Sequence, residues 1–276
     1  MKIGAHVSAA GGLFNAPKNA AALNLECFQF FSRSPQGGTV KPLTQEDITA
    51  FKTTCEENKF SEYYIHAPYI INLASQLDRT RKGSIEILRK ELERGTALGV
   101  RAMMFHPGSS KGMDREVALE VVAKGINEIL KGYKGTTQLL IEISAGAGEV
   151  IGDTFEEVAQ ILKLVNNDEV GVCFDTAHAF ASGYDLRTKE AVEHTMDAFH
   201  KTIGKNRLLI SHCNDSKVDI GEHKDRHEHI GDGHIGKAGF KAMIESPSFK
   251  NVNLILETEP EEIAKDIKTL YTLRDS

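Results

Sequence analysis

The stretch Ala102-Met103-Met104-Phe105-His106 is a short apolar run that ends in a histidine, and the same pattern recurs along the chain. The other runs of this kind are Tyr63 to His66, Leu139 to Glu142, Val170 to Asp175, Leu208 to His212 and Leu254 to Glu257. A parallel strand covered on both faces is apolar throughout, so a charged or imidazole side chain is tolerated only where the strand emerges. The pattern therefore predicts buried strands that each end in a polar residue.

Amphipathic segments separate these runs and predict helices. With Ile3 to His6 and Cys27 to Phe31, the candidate strands number eight. The candidate helices cover about 13–23, 45–58, 77–98, 115–130, 154–165, 189–203, 237–244 and 260–270. Eight strand-helix units predict one α/β domain over residues 1–276, a (β/α)8 TIM barrel, for which about 250 residues is typical. An open doubly wound sheet is the alternative, but no Gly-x-Gly-x-x-Gly turn follows the first strand.

The composition is that of a globular protein with a sizeable core. Of the 276 residues, 41% are hydrophobic and 26% are charged. No apolar stretch of roughly eighteen residues occurs, and the N-terminus lacks the apolar segment of a secretory signal, so we expect a cytoplasmic protein with no membrane association. The four cysteines are scattered and form no Cys-x-x-Cys pair, so we expect them to be reduced and mostly buried.

A TIM barrel would bring the polar strand ends together, because the C-terminal ends of all its strands open onto one face. Nine candidate metal ligands would then share one cleft: His66, His106, Glu142, Asp175, His178, His212, Asp225, His227 and Glu257. So many imidazoles and carboxylates would repel one another or shift their pKa values unless bound cations supplied compensating charge. The pattern predicts a metal cluster.

The kinds of ligand narrow the choice of metal. Neutral imidazole with carboxylate, and no thiolate, suits Zn²⁺ or Mn²⁺, whereas Mg²⁺ and Ca²⁺ prefer shells of oxygen ligands. At three or four ligands per ion, nine side chains can serve two or three ions if one carboxylate bridges. The count argues against a site for a single metal ion.

The remaining histidines leave some alternatives open. Asp225-Arg226-His227 lies in a polar loop where a solvated charge cluster is the ordinary expectation, and His229 competes with His227 for the ligand role. His194 and His200 fall inside a helical pattern with charged neighbours, so we expect both at the surface. The others are expected in loops or behind the ligands: His6, His223 and His234.

The chain resembles the endonuclease IV family, the metal-dependent apurinic/apyrimidinic (AP) endonucleases of bacterial base-excision repair. The resemblance runs from Ile3-Gly4-Ala5-His6-Val7-Ser8 to Leu254-Ile255-Leu256-Glu257-Thr258. Between these ends, the matching segments are Phe105 to Ser109, Ile141 to Gly146, Gly171 to Ala179, Gly183 to Leu186, His212 to Lys217, Asp225 to His227 and Ile230 to Gly236. These motifs are long and specific to the family.

The resemblance implies a TIM barrel that carries a trinuclear zinc centre, in which Mn²⁺ can substitute at one or more positions. The first ion would be held by His66 and His106, with Glu142 bridging it to the second. Asp175, His212 and Glu257 would complete the second site, and His178, Asp225 and His227 would hold the third. This assignment selects His227 over His229. Glu142 is also the candidate catalytic residue, which would orient the attacking hydroxide.

The implied reaction is hydrolysis on the 5′ side of an abasic site in duplex DNA, which leaves a 3′-hydroxyl and a 5′-deoxyribose phosphate. Removal of blocking groups from damaged 3′ ends would accompany it, and the family precedent favours a monomer. Tyr69 and Ile70 match the residues that wedge into the base stack. A second wedge loop, in which some relatives use arginine, has Gln36 here, and Arg33 is the candidate that compensates.

The charge balance opposes a DNA substrate, because duplex-binding proteins are usually basic. The net charge is −6 and the pI is near 6.0. Bound divalent ions would offset the clustered carboxylates, and basic residues such as Lys217 and Arg226 are predicted in loops on the active face. The local field there matters more than the total charge.

Three other functions fit parts of the pattern. A sugar isomerase or epimerase on a related barrel would use fewer metal ions and often a catalytic lysine, and the set of His178, Asp225 and His227 argues against it. A metal-dependent phosphoesterase for small molecules is opposed by the wedge residues and the basic loops. A non-catalytic binding barrel is opposed by the complete set of ligands.

Overall fold

A computed structural model describes residues 1–38 and 40–276 of the chain. The strands are β1 (Ile3–His6), β2 (Cys27–Phe30), β3 (Tyr63–His66), β4 (Ala102–Phe105), β5 (Gln138–Glu142), β6 (Gly171–Asp175), β7 (Leu208–His212), β8 (Asp215–Ser216), β9 (His227–Glu228) and β10 (Asn253–Leu256). The helices are α1 (Asn15–Ala22), α2 (Gln45–Glu57), α3 (Asp78–Leu98), α4 (Arg115–Leu130), α5 (Phe155–Val165), α6 (Thr176–Ala181), α7 (Lys189–Thr202), α8 (Gly236–Glu245) and α9 (Ile263–Asp275).

Eight parallel strands close into a barrel in the order β1-β10-β7-β6-β5-β4-β3-β2. The (β/α)8 prediction from the sequence is confirmed. Most predicted helices agree with the structure to within two residues at each end. The last helix differs most: Pro260 accepts a turn hydrogen bond from Ile263, so α9 begins only at Ile263, and it runs on to Asp275 because Leu273 still packs on the core.

The side chains of the barrel strands alternate between two separate apolar clusters. One fills the interior of the barrel and consists of Cys27, Tyr64, Ala102, Met104, Leu140, Cys173, Ile210 and Ile255. The other lies between the barrel and its helices and includes Phe28, Ile65 and Phe174. Because neighbouring residues of a strand point to opposite faces, the residue two positions after an interior residue also points into the barrel.

Gly4 leaves room for this interior packing on β1. A β-carbon at Gly4 would lie 2.5 Å from the carbonyl oxygen of Cys27 and 2.8 Å from Cδ1 of Ile255. Any larger residue would therefore push neighbouring strands apart at the point where β1 closes the barrel.

Two short elements near the strand ends were not predicted from the sequence. Strand β6 passes directly into helix α6. The polar segment after β7 folds back as an antiparallel hairpin in which Ser216 pairs with His227 and Asp215 with Glu228. A two-residue ladder and a six-residue helix are too short for periodicity to reveal.

All four cysteines are buried free thiols, as the sequence predicted. Along residues 1–38 and 40–276, we find no helix that combines the length and the hydrophobicity of a membrane crossing.

Candidate metal centre

A layer of polar side chains closes the barrel interior at the C-terminal ends of the strands. Each barrel strand contributes one residue to this layer, close to the end of the strand or immediately after it: His6, Gln29, His66, His106, Glu142, Asp175, His212 and Glu257. On seven of the eight strands, this residue follows a residue of the interior apolar cluster by two positions, and on β1 it follows Gly4. The alternation of strand side chains therefore points all eight toward one centre.

Three more candidate ligands reach this layer from outside the barrel strands. His178 lies on α6, and Asp225 and His227 lie at the second arm of the β8-β9 hairpin. Asp175 is the N-cap of α6, and its Oδ1 accepts a hydrogen bond of 2.7 Å from the backbone N–H of His178. The structure thus brings together all nine candidate ligands that the sequence singled out.

Glu142 lies at the centre of the cluster and is fully buried. Its Oε2 is 3.2 Å from Nε2 of His66 and 3.5 Å from Nε2 of His106. Its Oε1 is 2.9 Å from Nδ1 of His212. The two carboxylate oxygens therefore face different groups of histidines, which is the arrangement that a bridging carboxylate requires.

A second group of donors surrounds His212. Nδ1 of His212 is 3.2 Å from Oε2 of Glu257 and 3.8 Å from Oδ2 of Asp175. Together with Glu142, these residues offer ligand atoms that all lie within 4.8 Å of one another.

A third group lies nearer the solvent. Oδ1 of Asp225 is 3.2 Å from Nε2 of His178 and 3.5 Å from Nε2 of His227. Oδ2 of Asp175 is 3.7 Å from Nε2 of His227, so Asp175 lies between the second group and the third. The Asp225 side chain is 51% exposed, and this side of the cluster therefore opens onto the cleft.

Backbone carbonyl groups orient two of the imidazole rings. Nδ1 of His66 donates to the carbonyl oxygen of Ala67 at 2.6 Å, and Nδ1 of His178 donates to that of Ile143 at 2.9 Å. In both rings Nε2 is thereby left for the centre, as is usual for histidine ligands. Nε2 of His178 and Nε2 of His227 are buried and have no hydrogen-bond partner among the described residues.

The electrostatics of the cluster favour positive charge. Burial disfavours a charged imidazole, but the hydrogen bond and the charge of Glu142 outweigh it and raise the pKa of His66. Burial also opposes the charge of His178, but the neighbouring carboxylates Asp175 and Asp225 outweigh it and raise the pKa of His178 to about 10. At His106 burial prevails and lowers the pKa.

The carboxylates show the complementary shifts. Burial opposes ionisation of Glu142, yet His106 and His212 hold its pKa well below the usual range. The pKa of Asp225 is lowered as well, because the positive charge of His178, whose Nε2 lies 3.2 Å away, outweighs burial. The cluster holds its carboxylates ionised and needs compensating cations, which either protons on the histidines or metal ions can supply.

These observations fit a group of bound metal ions. The donors are imidazole nitrogens and carboxylate oxygens, and two buried imidazole nitrogens lack a partner among the residues described. Cys173 also approaches Glu142 and His212, but burial raises the pKa of its thiol to about 12. Because thiolate rather than thiol binds metal, the nitrogen and oxygen donors form the candidate ligand set.

The structure places His227 among the candidate metal ligands and His229 outside them. Nδ1 of His229 lies 2.7 Å from Oδ2 of Asp266, outside the groups of donors. His194 is exposed, as expected. His200 is not simply a surface residue, because it is half-buried and its Nε2 lies 2.9 Å from Oγ of Ser248 on a neighbouring loop.

The residues predicted to contact DNA surround the cleft to different degrees. Tyr69, Lys217 and Arg226 line the cleft above the donors, which has a volume of about 370 Å³. Ile70 lies on the adjoining groove, and a β-carbon at Gly37 would lie 3.1 Å from its Cδ1, so the loops after β2 and β3 touch there.

Gln36 and Arg33 lie in the loop after β2. Gln36 is exposed, whereas Arg33 is only half-exposed. Nη2 of Arg33 donates to the carbonyl oxygen of Gly38 at 2.9 Å, so its guanidinium is engaged within its own loop. Some relatives use an arginine in this loop where this chain has Gln36. That Arg33 replaces the contact of that arginine stays a prediction.

Sequence reasoning missed two residues that hold the site together. Gln29 contacts His212 and Glu257 through the two ends of its side-chain amide. Asp266 on α9 accepts hydrogen bonds from Thr258 and from the backbone N–H of Ile230, and thereby ties the loop after β10 to the loop after His227. Gln29 could have been found from the sequence, because it is the one polar residue in the apolar run Cys27 to Phe30. It follows Cys27 by two positions, as the strand-end ligand His66 follows Tyr64. Asp266 lies in an ordinary helical pattern, which carries no such indication.

Comparison with known proteins agrees with the barrel. Residues 17–273 match the family model described as "Xylose isomerase-like TIM barrel". A protein of Campylobacter concisus (strain 13826) named "Probable endonuclease 4" is 41% identical over an alignment of 276 positions, gaps included, that covers 98% of this chain and 97% of that protein.

Solved structures give the same picture. Endonuclease IV from Thermus thermophilus is 33% identical, superimposes with a TM-score of 0.89, and is covered to 99% by 100% of this chain. A D-tagatose 3-epimerase-like protein has a TM-score of 0.76 at 21% identity, with coverage of 100% of this chain and 97% of that one. The second likeness shows a shared fold alone.

Proposed function

Since the chain belongs to the endonuclease IV family, we propose that it is a metal-dependent AP endonuclease. It hydrolyses the phosphodiester bond on the 5′ side of an abasic site in duplex DNA and leaves a 3′-hydroxyl and a 5′-deoxyribose phosphate. It also removes blocking groups from damaged 3′ ends, where the same phosphodiester chemistry applies.

The position of Glu142 is the observation that carries the proposal. Its oxygens lie 3.2 Å from Nε2 of His66 on one side and 2.9 Å from Nδ1 of His212 on the other. Two neighbouring donor sets that share one carboxylate suit two ions held close together, and the set of His178, Asp225 and His227 suits a third. A barrel built for a single metal ion would not need the third set.

Zinc is the metal that this donor set fits best, and Mn²⁺ can substitute at one or more positions. His66, His106 and Glu142 would hold the first ion, with Glu142 shared by a second ion on Asp175, His212 and Glu257. His178, Asp225 and His227 would hold the third. Bound zinc supplies Lewis acidity, makes water a better nucleophile near neutral pH and neutralises charge on the phosphate.

The chain itself orients the reacting groups. Glu142 is completely buried and ionised, and it contacts His66 and His106, which line the cleft. It therefore accepts a hydrogen bond from an attacking water and directs it toward the phosphorus. In this role Glu142 is a catalytic residue. None of the nine ligand side chains needs to act as a covalent nucleophile.

Tyr69 and Ile70 supply the selectivity for abasic DNA. They are 67% and 44% exposed, although large apolar side chains are ordinarily covered. Tyr69 lines both the cleft and the adjoining groove, and Ile70 lines the groove. The Tyr69 ring is steadied by the rings of Phe31, at 5.4 Å, and His66, at 5.6 Å. Extrusion of a nucleotide is easiest where the base is missing, and these two side chains fill the gap that it leaves.

Local positive charge overcomes the acidic total. Lys217 and Arg226 are exposed neighbours, because the backbone N–H of Lys217 donates to the carbonyl oxygen of Arg226 at 3.0 Å. They stand at the edge of the cleft, where they contact the phosphates that flank the lesion. Gln36, exposed on the loop after β2, is a further contact to the DNA backbone, weaker than the arginine that some relatives use.

The proposal also includes a monomeric enzyme in the cytoplasm, as inferred from the sequence. Light scattering of the purified protein tests the first part, with a mass of one chain, 30.4 kDa, as the expected result.

Metal analysis combined with a nicking assay tests the main proposal. Mass spectrometry of the purified protein is expected to find about three zinc ions per chain, some replaceable by manganese. A labelled duplex with one stable abasic analogue is expected to be nicked without added Mg²⁺, and the new end should prime a polymerase because it carries a 3′-hydroxyl.

Two outcomes would contradict the proposal. If the protein takes up neither zinc nor manganese, it has no metal centre of the proposed kind. A protein that is loaded with metal but leaves abasic DNA intact, and instead epimerises ketohexoses, would be an epimerase on the shared fold.

A further inference from the structure

Gln29 occupies the layer of the proposed metal ligands without being one of them. Six barrel strands contribute a proposed ligand to this layer, whereas β1 and β2 contribute His6 and Gln29. Gln29 is completely buried, and a buried amide is stable only if its hydrogen bonds are made.

Both ends of the Gln29 amide contact the second donor group. Nε2 of Gln29 donates to Oε1 of Glu257 at 2.7 Å, and Oε1 of Gln29 lies 2.8 Å from Nε2 of His212. The second N–H of the amide points to Nδ1 of His6, at 3.0 Å. Both N–H groups and the oxygen of the Gln29 amide therefore have a partner in this layer.

This arrangement determines which nitrogen of His212 faces the centre. An ionised carboxylate only accepts hydrogen bonds, so the NH₂ of Gln29 must face Glu257 and its oxygen must face His212. Nε2 of His212 must then carry the hydrogen that it donates to Gln29. Nδ1 of His212 is left for the centre, 2.9 Å from Glu142 and 3.2 Å from Glu257.

We infer that Gln29 is a positioning residue for the second metal ion, because it holds His212 and Glu257 in the orientation in which both can bind the same ion. The inference rests on the proposed zinc centre. Gln29 touches neither the ion nor the DNA and acts through the two ligands that it joins.

His6 supports Gln29 from behind. Its ring packs against Phe31 at a centroid distance of 4.4 Å, and burial lowers its pKa to about 4. His6 is therefore neutral near pH 7, and its Nδ1 can accept the remaining N–H of Gln29. The hydrogen bonds run from His6 through Gln29 to the two ligands.

Two substitutions test the inference, Gln29→Leu and Gln29→Met, since both retain most of the buried volume and remove the amide. Competition with a chromogenic zinc chelator is expected to show a loss of about 10- to 100-fold in affinity at one zinc site and little change at the others. With cobalt in place of zinc, the visible absorption bands of that one site are expected to change.

Gln138→Leu is the matched control. Gln138 begins β5 at the opposite end of the barrel, and its Nε2 donates to the carbonyl oxygen of Glu169 at 2.7 Å. Its replacement removes an amide of the same size from a barrel strand without approaching the donors. Zinc affinity equal to that of the wild type is expected.

A measurement on the wild type keeps the inference open to refutation even if both Gln29 variants misfold. Nitrogen-15 NMR of the histidine rings in the zinc-loaded protein is expected to show His212 protonated at Nε2 and bound through Nδ1, while His66 and His178 bind through Nε2. Binding of His212 through Nε2 would overturn the inference, as would wild-type zinc affinity in a folded Gln29→Leu variant. A wild type that takes up no metal would refute the proposed function instead.

Discussion

Asp175 accepts a hydrogen bond of 2.7 Å from the backbone N–H of His178, so one proposed ligand caps the short helix that carries another. The carboxylate thus has a structural task that does not depend on its charge and a binding task that does. Asparagine caps helices as well as aspartate does, whereas alanine does not.

Substitutions at Asp175 should therefore separate the two tasks. We expect metal-free Asp175→Asn to be more stable than metal-free Asp175→Ala by about 1 kcal/mol, because only the first retains the cap. Urea unfolding in the presence of a chelator measures this difference. Both variants should bind zinc less tightly than the wild type, and tight zinc binding by Asp175→Asn would mean that this carboxylate is not a ligand.

Glu142→Gln should inactivate the enzyme. The glutamine side chain is neutral and has one oxygen in place of two. It therefore cannot bridge two cations or accept hydrogen bonds on both sides. Loss of a residue that only hydrogen-bonds a metal ligand costs up to about 100-fold in activity. Glu142 is a proposed ligand itself, so we expect the rate of nicking to fall by at least about 100-fold. Zinc content measured on the same sample distinguishes loss of metal from loss of orientation, and near-normal nicking would contradict both roles of Glu142.

Removal of the exposed wedge should weaken substrate binding and leave the metal centre intact. For Tyr69→Ala we expect binding of abasic duplex to weaken by about 1–3 kcal/mol, or about 5- to 150-fold, as for the loss of an aromatic ring that stacks on a base. Fluorescence anisotropy of the metal-loaded protein, with a duplex whose linkage 5′ to the abasic analogue resists hydrolysis, measures the affinity. Leu164→Ala, on α5 and 42% exposed, is the control. Equal affinities for the two variants would exclude Tyr69 from the DNA interface.

Binding of DNA should depend on salt despite the net charge of −6. We expect log Kd to rise with log salt concentration, and the slope to fall by about one for Arg226→Ala and again for Lys217→Ala, because each removes a contact with a phosphate. Lys134→Ala is the control, since Lys134 is exposed in the loop before β5, at the other end of the barrel. Affinity that does not vary with salt would mean that these basic residues do not touch phosphate.

Zinc uptake should release protons near neutral pH. The carboxylates around His178 raise its pKa to about 10, so the metal-free protein holds a proton there at pH 7 that a bound ion must displace. As the pH rises through about 10, this proton is already lost, and the release attributable to His178 should disappear. Calorimetry in buffers with different ionisation enthalpies counts the protons. No release at pH 7 would show that His178 is neutral before metal arrives.

The architecture and the six candidate ligands at strand ends could be predicted from local patterns, whereas the choice of His227 over His229 came from the resemblance to the endonuclease IV family. The run Leu139 to Glu142 shows why: a strand buried on both faces must be apolar, and a polar residue at its end must lie where the barrel opens. The helix over 115–130 was predicted at its correct bounds because its apolar residues recur at helical spacing, and the structure shows in addition that Asp114 caps it. These properties depend on residues close together in the sequence.

The tertiary structure alone decided how the ligands are grouped and oriented. Asp225 and His227 are in a polar segment without periodicity, and only the β8-β9 hairpin brings them over the cleft. The choice between the two nitrogens of His212 depends on Gln29, 183 positions earlier in the chain. That contact exists because a closed barrel brings the ends of distant strands to one centre, and the spacing of residues along the chain carries no information about it.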